Sequence, residues 1–244
     1  MTTPAMAFRQ RMLEQKQAEQ QRQRVAALEE TAIEVAASDY SAFQRLQASL
    51  EKDMKRLSSF PSGTPRNTVK NDELLPVYLP VVQEYIDQGE LYTNPVLVMV
   101  MIWLFDCGRV TEALAIAGVA VEQKQPMPEW YKRNLPTFVA DTVFEWADGE
   151  AARGNPVEPY FSEVFQRLTD EQWPVPDVTR MRFHKLAGNL TRDKGEHEQA
   201  LEYFLMAQQL DPKRSQVKTV IKELQKHLQQ TETKASPDRG QTAP

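Results

Sequence analysis

The chain of 244 residues has one cysteine, Cys107, and three histidines, His184, His197 and His227. A lone thiol excludes an intramolecular disulfide framework and any cysteine-based zinc cage. Glycine is scarce as well, 9 residues against 16 prolines, where average usage is about 7 % and 5 %. Glycine-rich phosphate loops, tight β-hairpins and a Rossmann turn need backbone freedom that so few positions do not supply. No GxxxxGK stretch occurs, which excludes a P-loop. The longest apolar run, Pro95–Phe105, is about half a membrane span. The opening MTTPAMAFRQRM has no apolar core of signal-peptide length. These absences lead to the expectation of a cytosolic protein without membrane contact.

What is present is ordinary in amount and uneven in distribution. Charged residues make up 26 % and hydrophobic ones 41 %, and the length allows one large or two small domains. The net charge of −5 hides three regions. Residues 1–70 carry 11 Lys+Arg against 8 Asp+Glu, residues 71–180 carry 7 against 18, and residues 181–244 carry 11 against 8. An acidic middle argues against a uniformly basic nucleic-acid binder but leaves basic faces open at both ends.

The organisation reads as all-α. Residues 1–37 are rich in Ala, Gln, Glu and Arg, with disorder or partner-induced order expected for about the first twenty. Val25, Leu28, Ala32 and Val35 then form a stripe at helical spacing. After Ser38 and Asp39, a second helix carries Phe43, Leu46, Leu50, Met54 and Leu57 on one face. Residues 1–57 therefore read as a helical arm, and the turn-rich stretch around SSFPSGTPRN places a linker at 58–70. Asn71 or Asp72 is the expected cap of the next helix, with Pro76 and Pro80 in its first turn or bending it. Asn94-Pro95 opens an all-round apolar helix, which means burial among other helices, and Thr111 is the expected cap of the helix after it. The body spans 71–230, and 231–244 reads as a disordered polar tail.

A repeat lies within the body. From Gly108, small residues fall at +5 (Ala113), +9 (Ala117) and +12 (Ala120); from Gly195 the same offsets give Ala200, Phe204 and Ala207. With Gly188 seven residues earlier, the second copy resembles the tetratricopeptide pattern, in which small residues let two helices approach and a large one fills the gap. The copies lie 87 residues apart, so there is no regular tandem array. The expected architecture is helical hairpins stacked in a tetratricopeptide-like manner, preceded by a helical arm.

Signals for catalysis are weak. His184 and His197 bracket Asp193 and Glu196, but His184 falls at a large-residue packing position and Glu196 and His197 begin a helix. A restriction-type nuclease needs a carboxylate and an Asp/Glu-x-Lys pair on neighbouring strands. Asp177 with Asp211-Pro212-Lys213, or Asp106 with Glu122-Gln123-Lys124, matches only without a strand to carry it. No catalytic residue, metal ligand or cofactor is assigned. Cys107 ends an apolar helix and reads as a buried thiol. The binding candidates are two basic sets. Arg214, Lys218, Lys222 and Lys226 repeat every four residues beside the apolar seam Val217, Ile221, Leu224, Leu228. Arg9, Arg11, Arg22 and Arg24 (with Lys16) lie in the N-terminal arm. The first set would touch phosphates and carry no base information, unless its lysines simply shield the apolar seam as a solvated helix flank; the arm could reach phosphates or groove edges, and could equally be a solvated helix.

Several stretches resemble the small terminase subunit family of temperate contractile-tailed phages, often named the terminase endonuclease subunit. They are Leu74-Leu75-Pro76-x-Tyr78-Leu79-Pro80-x-Val82, then Val100-Met101-x-Trp103-x-x-Asp106-x-Gly108 with Ala113-Leu114-x-Ile116-Ala117. Met127-Pro128, Arg133-Asn134-Leu135-Pro136-Thr137-Phe138-Val139-Ala140-Asp141, Lys185-Leu186-Ala187-Gly188, and Ala200-Leu201 through Leu224 follow in order. The resemblance covers about 70–230, and 40–57 loosely. It implies a role in viral DNA packaging in the host cytoplasm: recognising the end site of viral double-stranded DNA and bringing it to the large terminase subunit. That partner is expected to hold the ATPase motor and the nuclease, and the chain is expected to form a homo-oligomer. Two other readings stand beside this one, a helical scaffold that binds only proteins and an endonuclease in its own right.

Overall fold

The structure is a computed structural model that describes residues 40–170 and 173–235. Among the described residues every regular element is helical. The chain divides into two compact units, Met1–Ser62 and Gly63–Pro244. In the first, helix α1 spans 40–58. Its apolar stripe is the one the spacing predicts: Leu50 and Leu57 are buried, and Phe43, Leu46 and Met54 are partly so. Beyond it the Arg56 guanidinium lies 5.9 Å over the Phe60 ring. The companion stripe Val25, Leu28, Ala32 and Val35 lies outside the described residues.

The second unit begins with helix α2 (Thr64–Val69), a π-helical turn (Lys70–Leu74) and helix α3 (Leu75–Asp87), which run on without a break. Helix therefore starts at Thr64, inside the stretch expected as a linker, and turns occupy 58–63 only in part. Asn71 and Asp72 sit in the π-turn and cap nothing, because helix already precedes them. The wide turn, closed by the Leu75 N–H on the Lys70 carbonyl, lies just before Pro76. In a regular helix that proline ring would crowd the carbonyl four residues back, so widening the turn relieves the clash. Gln88 ends α3 and Gly89 follows at φ 66.

Helix α4 (Pro95–Asp106) is the buried centre. The Asn94 side chain accepts from the N–H groups of Val96 and Leu97, and every residue from Val96 to Leu104 is buried. Trp103 meets the fully buried Tyr78 of α3 edge to face, ring centres 5.7 Å apart. Helix α5 (Val110–Glu122) packs on α4, and its Ala113, Ala117 and Ala120 are fully buried. Thr111 does not cap α5: the helix starts one residue earlier, and the Thr111 hydroxyl instead hydrogen-bonds the Tyr160 hydroxyl at 2.6 Å.

Helices α6 (Leu135–Ala152), α7 (Tyr160–Thr169), α8 (Asp177–Asp193), α9 (His197–Leu210) and α10 (Lys218–Ala235) complete the unit. Each of α3 to α9 packs on the helix that follows it, and α6 also packs on α8. The α8–α9 pairing is the most extensive. Its tight point is Gly188, where a Cβ atom would stand 2.9 Å from the Phe204 ring. Ala200, Phe204 and Ala207 are all fully or almost fully buried. The small and large positions read from the sequence thus meet across one helical hairpin. Helix α10 continues to Ala235, into the stretch expected as tail, and 236–244 lie outside the described residues.

Candidate nucleic-acid interface

Helix α10 is held by its apolar seam. Val217, just ahead of the helix, with Ile221 and Leu224 buries against Ala200 and Phe204 of α9, and Leu228 is partly covered. A helix anchored along one stripe leaves the flanking positions to solvent, and Lys218, Lys222 and Lys226 are all exposed. None of the three makes an ion pair with a described residue. Arg214 is exposed too but stands in the turn before the helix. There the Asp211 carboxylate accepts from the backbone N–H groups of Lys213 and Arg214, and its second oxygen lies 3.8 Å from Arg214 Nε. The four-residue spacing is therefore one helical row of three lysines with an arginine ahead of it. Arg9, Arg11, Arg22 and Arg24 lie outside the described residues.

A second charged cluster was not visible as a site in the sequence. Asp141, on α6 and 6 % exposed, binds Arg133 at 2.7 Å through Oδ2 and Arg182 at 3.4 Å through Oδ1. Thr179 donates its hydroxyl to the same Oδ1 at 3.3 Å. The Arg182 guanidinium carbon also stands over Phe144, 4.1 Å from the ring centre. The Arg133-to-Asp141 stretch thereby acquires a physical reading. Asn134 caps α6 by accepting from the Thr137 N–H, and its amide donates to the Pro174 carbonyl. Arg133 closes back on Asp141 beyond that cap. In the sequence, Asp141 shares its helix face with Thr137 four residues before it and Phe144 three residues after it, a spacing that by itself names no partner for the carboxylate.

The remaining candidates are engaged locally. His184 packs against Phe165, ring centres 4.9 Å apart, and burial, with Arg180 adding to it, pushes its pKa down to about 4. Its packing role agrees with its position in the repeat. His197 pairs with the ring of His227 at 4.4 Å. No group of three His, Cys, Asp or Glu side chains among the described residues is arranged to hold a metal ion. Asp106 binds the Lys70 ammonium at 2.6 Å, Asp177 is the first residue of α8, and Asp211 organises the turn before α10. Neither pair that resembles a restriction-type pattern lies on a strand. Cys107 is partly buried at the end of α4, and burial raises its pKa, with Lys70 opposing. No helix among the described residues is long and apolar enough to cross a membrane.

A helical body with a lysine-bearing terminal helix defines no single class of protein by itself; sequence similarity supplies the class. The family described as phage small terminase subunit matches residues 47–178, more than half of the chain, and the chain belongs to that family. The chain is 35 % identical over 162 residues to the probable terminase, endonuclease subunit of Haemophilus phage HP1, covering 66 % of this chain and 56 % of that protein. It is 30 % identical over 186 residues to the terminase, endonuclease subunit of Escherichia phage P2, covering 76 % of this chain and 74 % of that one. The chain thus spans little more than half of the HP1 relative. No solved structure matches it. The family match ends at Val178, so most of α8 and all of α9 and α10, including the lysine row, lie beyond it.

Proposed function

We propose that this chain is the DNA-recognising subunit of a phage terminase. It binds viral end-site double-stranded DNA and directs a large terminase subunit, which carries the ATPase and the nuclease, to cut and package it in the host cytoplasm. The observation that carries the reading is the row Lys218, Lys222 and Lys226, exposed and without an ion pair to any described residue, on a helix whose apolar seam is buried. Flexible ammonium groups in a row suit phosphates, and they sit where the acidic middle of the chain has ended. The arginines Arg9, Arg11, Arg22 and Arg24 are proposed as a second phosphate contact from the N-terminal arm. The hairpins are proposed to stack as tetratricopeptide repeats do, and the working unit is proposed to be a homo-oligomer.

The test is a gel shift of the purified chain on viral end DNA across a range of salt. Each phosphate contact contributes about 0.9 to the slope of log K against log salt. Charge reversal at Lys218, Lys222 and Lys226 should therefore flatten that slope by about 2–3 and weaken binding. An unchanged slope removes α10 from DNA binding. Failure of the unaltered chain to bind at low salt favours a scaffold that touches only proteins. The two relatives carry "endonuclease subunit" in their names. Cleavage of end DNA by this chain with magnesium alone would overturn the assignment of cutting to the partner.

A further inference from the structure

Between α6, α8 and the turn before α10 lies a groove of about 270 Å³, whose polar lining is Asp148, Arg182, Lys185, Asn189 and Arg214. Three cations thus face one carboxylate. On α8 the residues Arg182, Lys185 and Asn189 follow each other at spacings of three and four, which places them on one face of the helix. Arg214 comes from a different element and reaches the same groove.

The cations differ in how they are held. Arg182 is pre-oriented: its guanidinium carbon stands over the Phe144 ring and it touches Asp141 at one nitrogen, Nη1, 3.4 Å from Oδ1. Asp141 is shared with Arg133, which is nearer at 2.7 Å, so the two arginines exceed their common carboxylate by one positive charge. A guanidinium has five N–H donors in a rigid fork, and most of those on Arg182 have no partner among the described residues. Lys185 makes no ion pair with a described residue, and Arg214 has only the 3.8 Å approach to Asp211. Asn189 adds an uncharged amide.

We propose that this groove seats a phosphodiester of the DNA backbone. The fork of Arg182 takes the non-bridging oxygens, Lys185 and Arg214 supply flanking charge, and Asn189 donates a hydrogen bond. The inference rests on the DNA-binding reading above and deepens it. A phosphodiester carries a single negative charge, which tolerates the Asp148 carboxylate better than a doubly charged free phosphate would. Arg214 also stands four residues ahead of Lys218, so the groove adjoins the lysine row and extends it onto the body of the protein.

The test uses the full chain on duplex DNA. In the Lys185→Gln/Arg214→Gln double variant the salt slope should fall by about two, and affinity at 0.15 M salt should drop about 30-fold, the loss of two phosphate contacts. Arg182→Lys keeps the charge and loses the fork, so it should weaken binding several-fold with the slope retained. A Lys132→Gln/Lys194→Gln control, charge-matched and outside the groove, should bind as the unaltered chain does. Thermal melting of each variant confirms that the fold is intact. A slope unchanged in the groove double variant, while charge reversal of Lys218, Lys222 and Lys226 flattens it, overturns the groove and leaves the proposed function standing. An equal loss in the control also overturns it. If the unaltered chain binds no DNA at low salt, the groove and the DNA-binding reading fail together.

Discussion

At the scale of single residues, Gly188 marks a close approach of α8 and α9. A Cβ there would lie 2.9 Å from the Phe204 ring, and Phe204 is 1 % exposed. Alanine gains about 1 kcal/mol over glycine in a helix interior, but overpacking costs about 1–3 kcal/mol. The steric effect should win. Gly188→Ala is expected to lower stability by about 1 kcal/mol in urea unfolding, and adding Phe204→Leu should recover part of that loss. A stabilised Gly188→Ala would show that the ring yields and that the small-residue position is not needed. This contact was legible in the sequence, because Gly188, Ala200, Phe204 and Ala207 announce a close approach by spacing alone. Thr111 was not: a hydroxyl at a helix start reads as a cap, and only the position of Tyr160 gives it another partner.

At the scale of elements, the Leu-Pro-x-Tyr-Leu-Pro stretch shows how one helix accommodates two prolines. The π-turn at Lys70–Leu74 precedes Pro76, and both prolines face solvent while Tyr78 turns inward onto Trp103. The same turn buries Lys70, whose ammonium meets Asp106 at the end of α4. Asn67 reinforces the joint by donating to the Asp106 carbonyl at 2.6 Å. Lys70 is 7 % exposed, so its charge depends on that carboxylate. Asp106→Asn is expected to cost about 1–3 kcal/mol of stability, since it leaves a buried cation without its counter-charge. Lys70→Met should cost less, because it removes the charge together with its need. A melting temperature unmoved by Asp106→Asn would sink this account. Asp106 also belonged to a nuclease-like pattern in the sequence; its observed partner gives it a structural role. The helix ends were readable where glycine or asparagine marked them, as at Gly89 and Asn94. The π-turn was not, because nothing local distinguishes a widened turn from a helix start.

At the scale of the whole molecule, the charge asymmetry gains a location. The acidic stretch 71–180 supplies α3 to α7, whereas α8 carries half-buried cations and Lys213, Arg214, Lys218, Lys222 and Lys226 stand exposed in the turn before α10 and on α10 itself. The N-terminal unit, Met1–Ser62, contains α1 with its apolar stripe and is proposed as the assembly element. Mass measurement in solution should find the full chain oligomeric and a chain lacking 1–62 monomeric; a truncated chain that stays oligomeric would remove the arm from assembly. The sequence by itself determined that the protein is helical, where most helices end and which faces are apolar. Those features follow from periodicity and capping within a few residues. Only the tertiary structure decided that Asp141 lies between Arg133 and Arg182, that Lys70 meets Asp106, and that Arg214 joins Lys185 in one groove. Most of these partners are tens of residues apart along the chain, and their meeting depends on how helices pack, which local spacing does not encode.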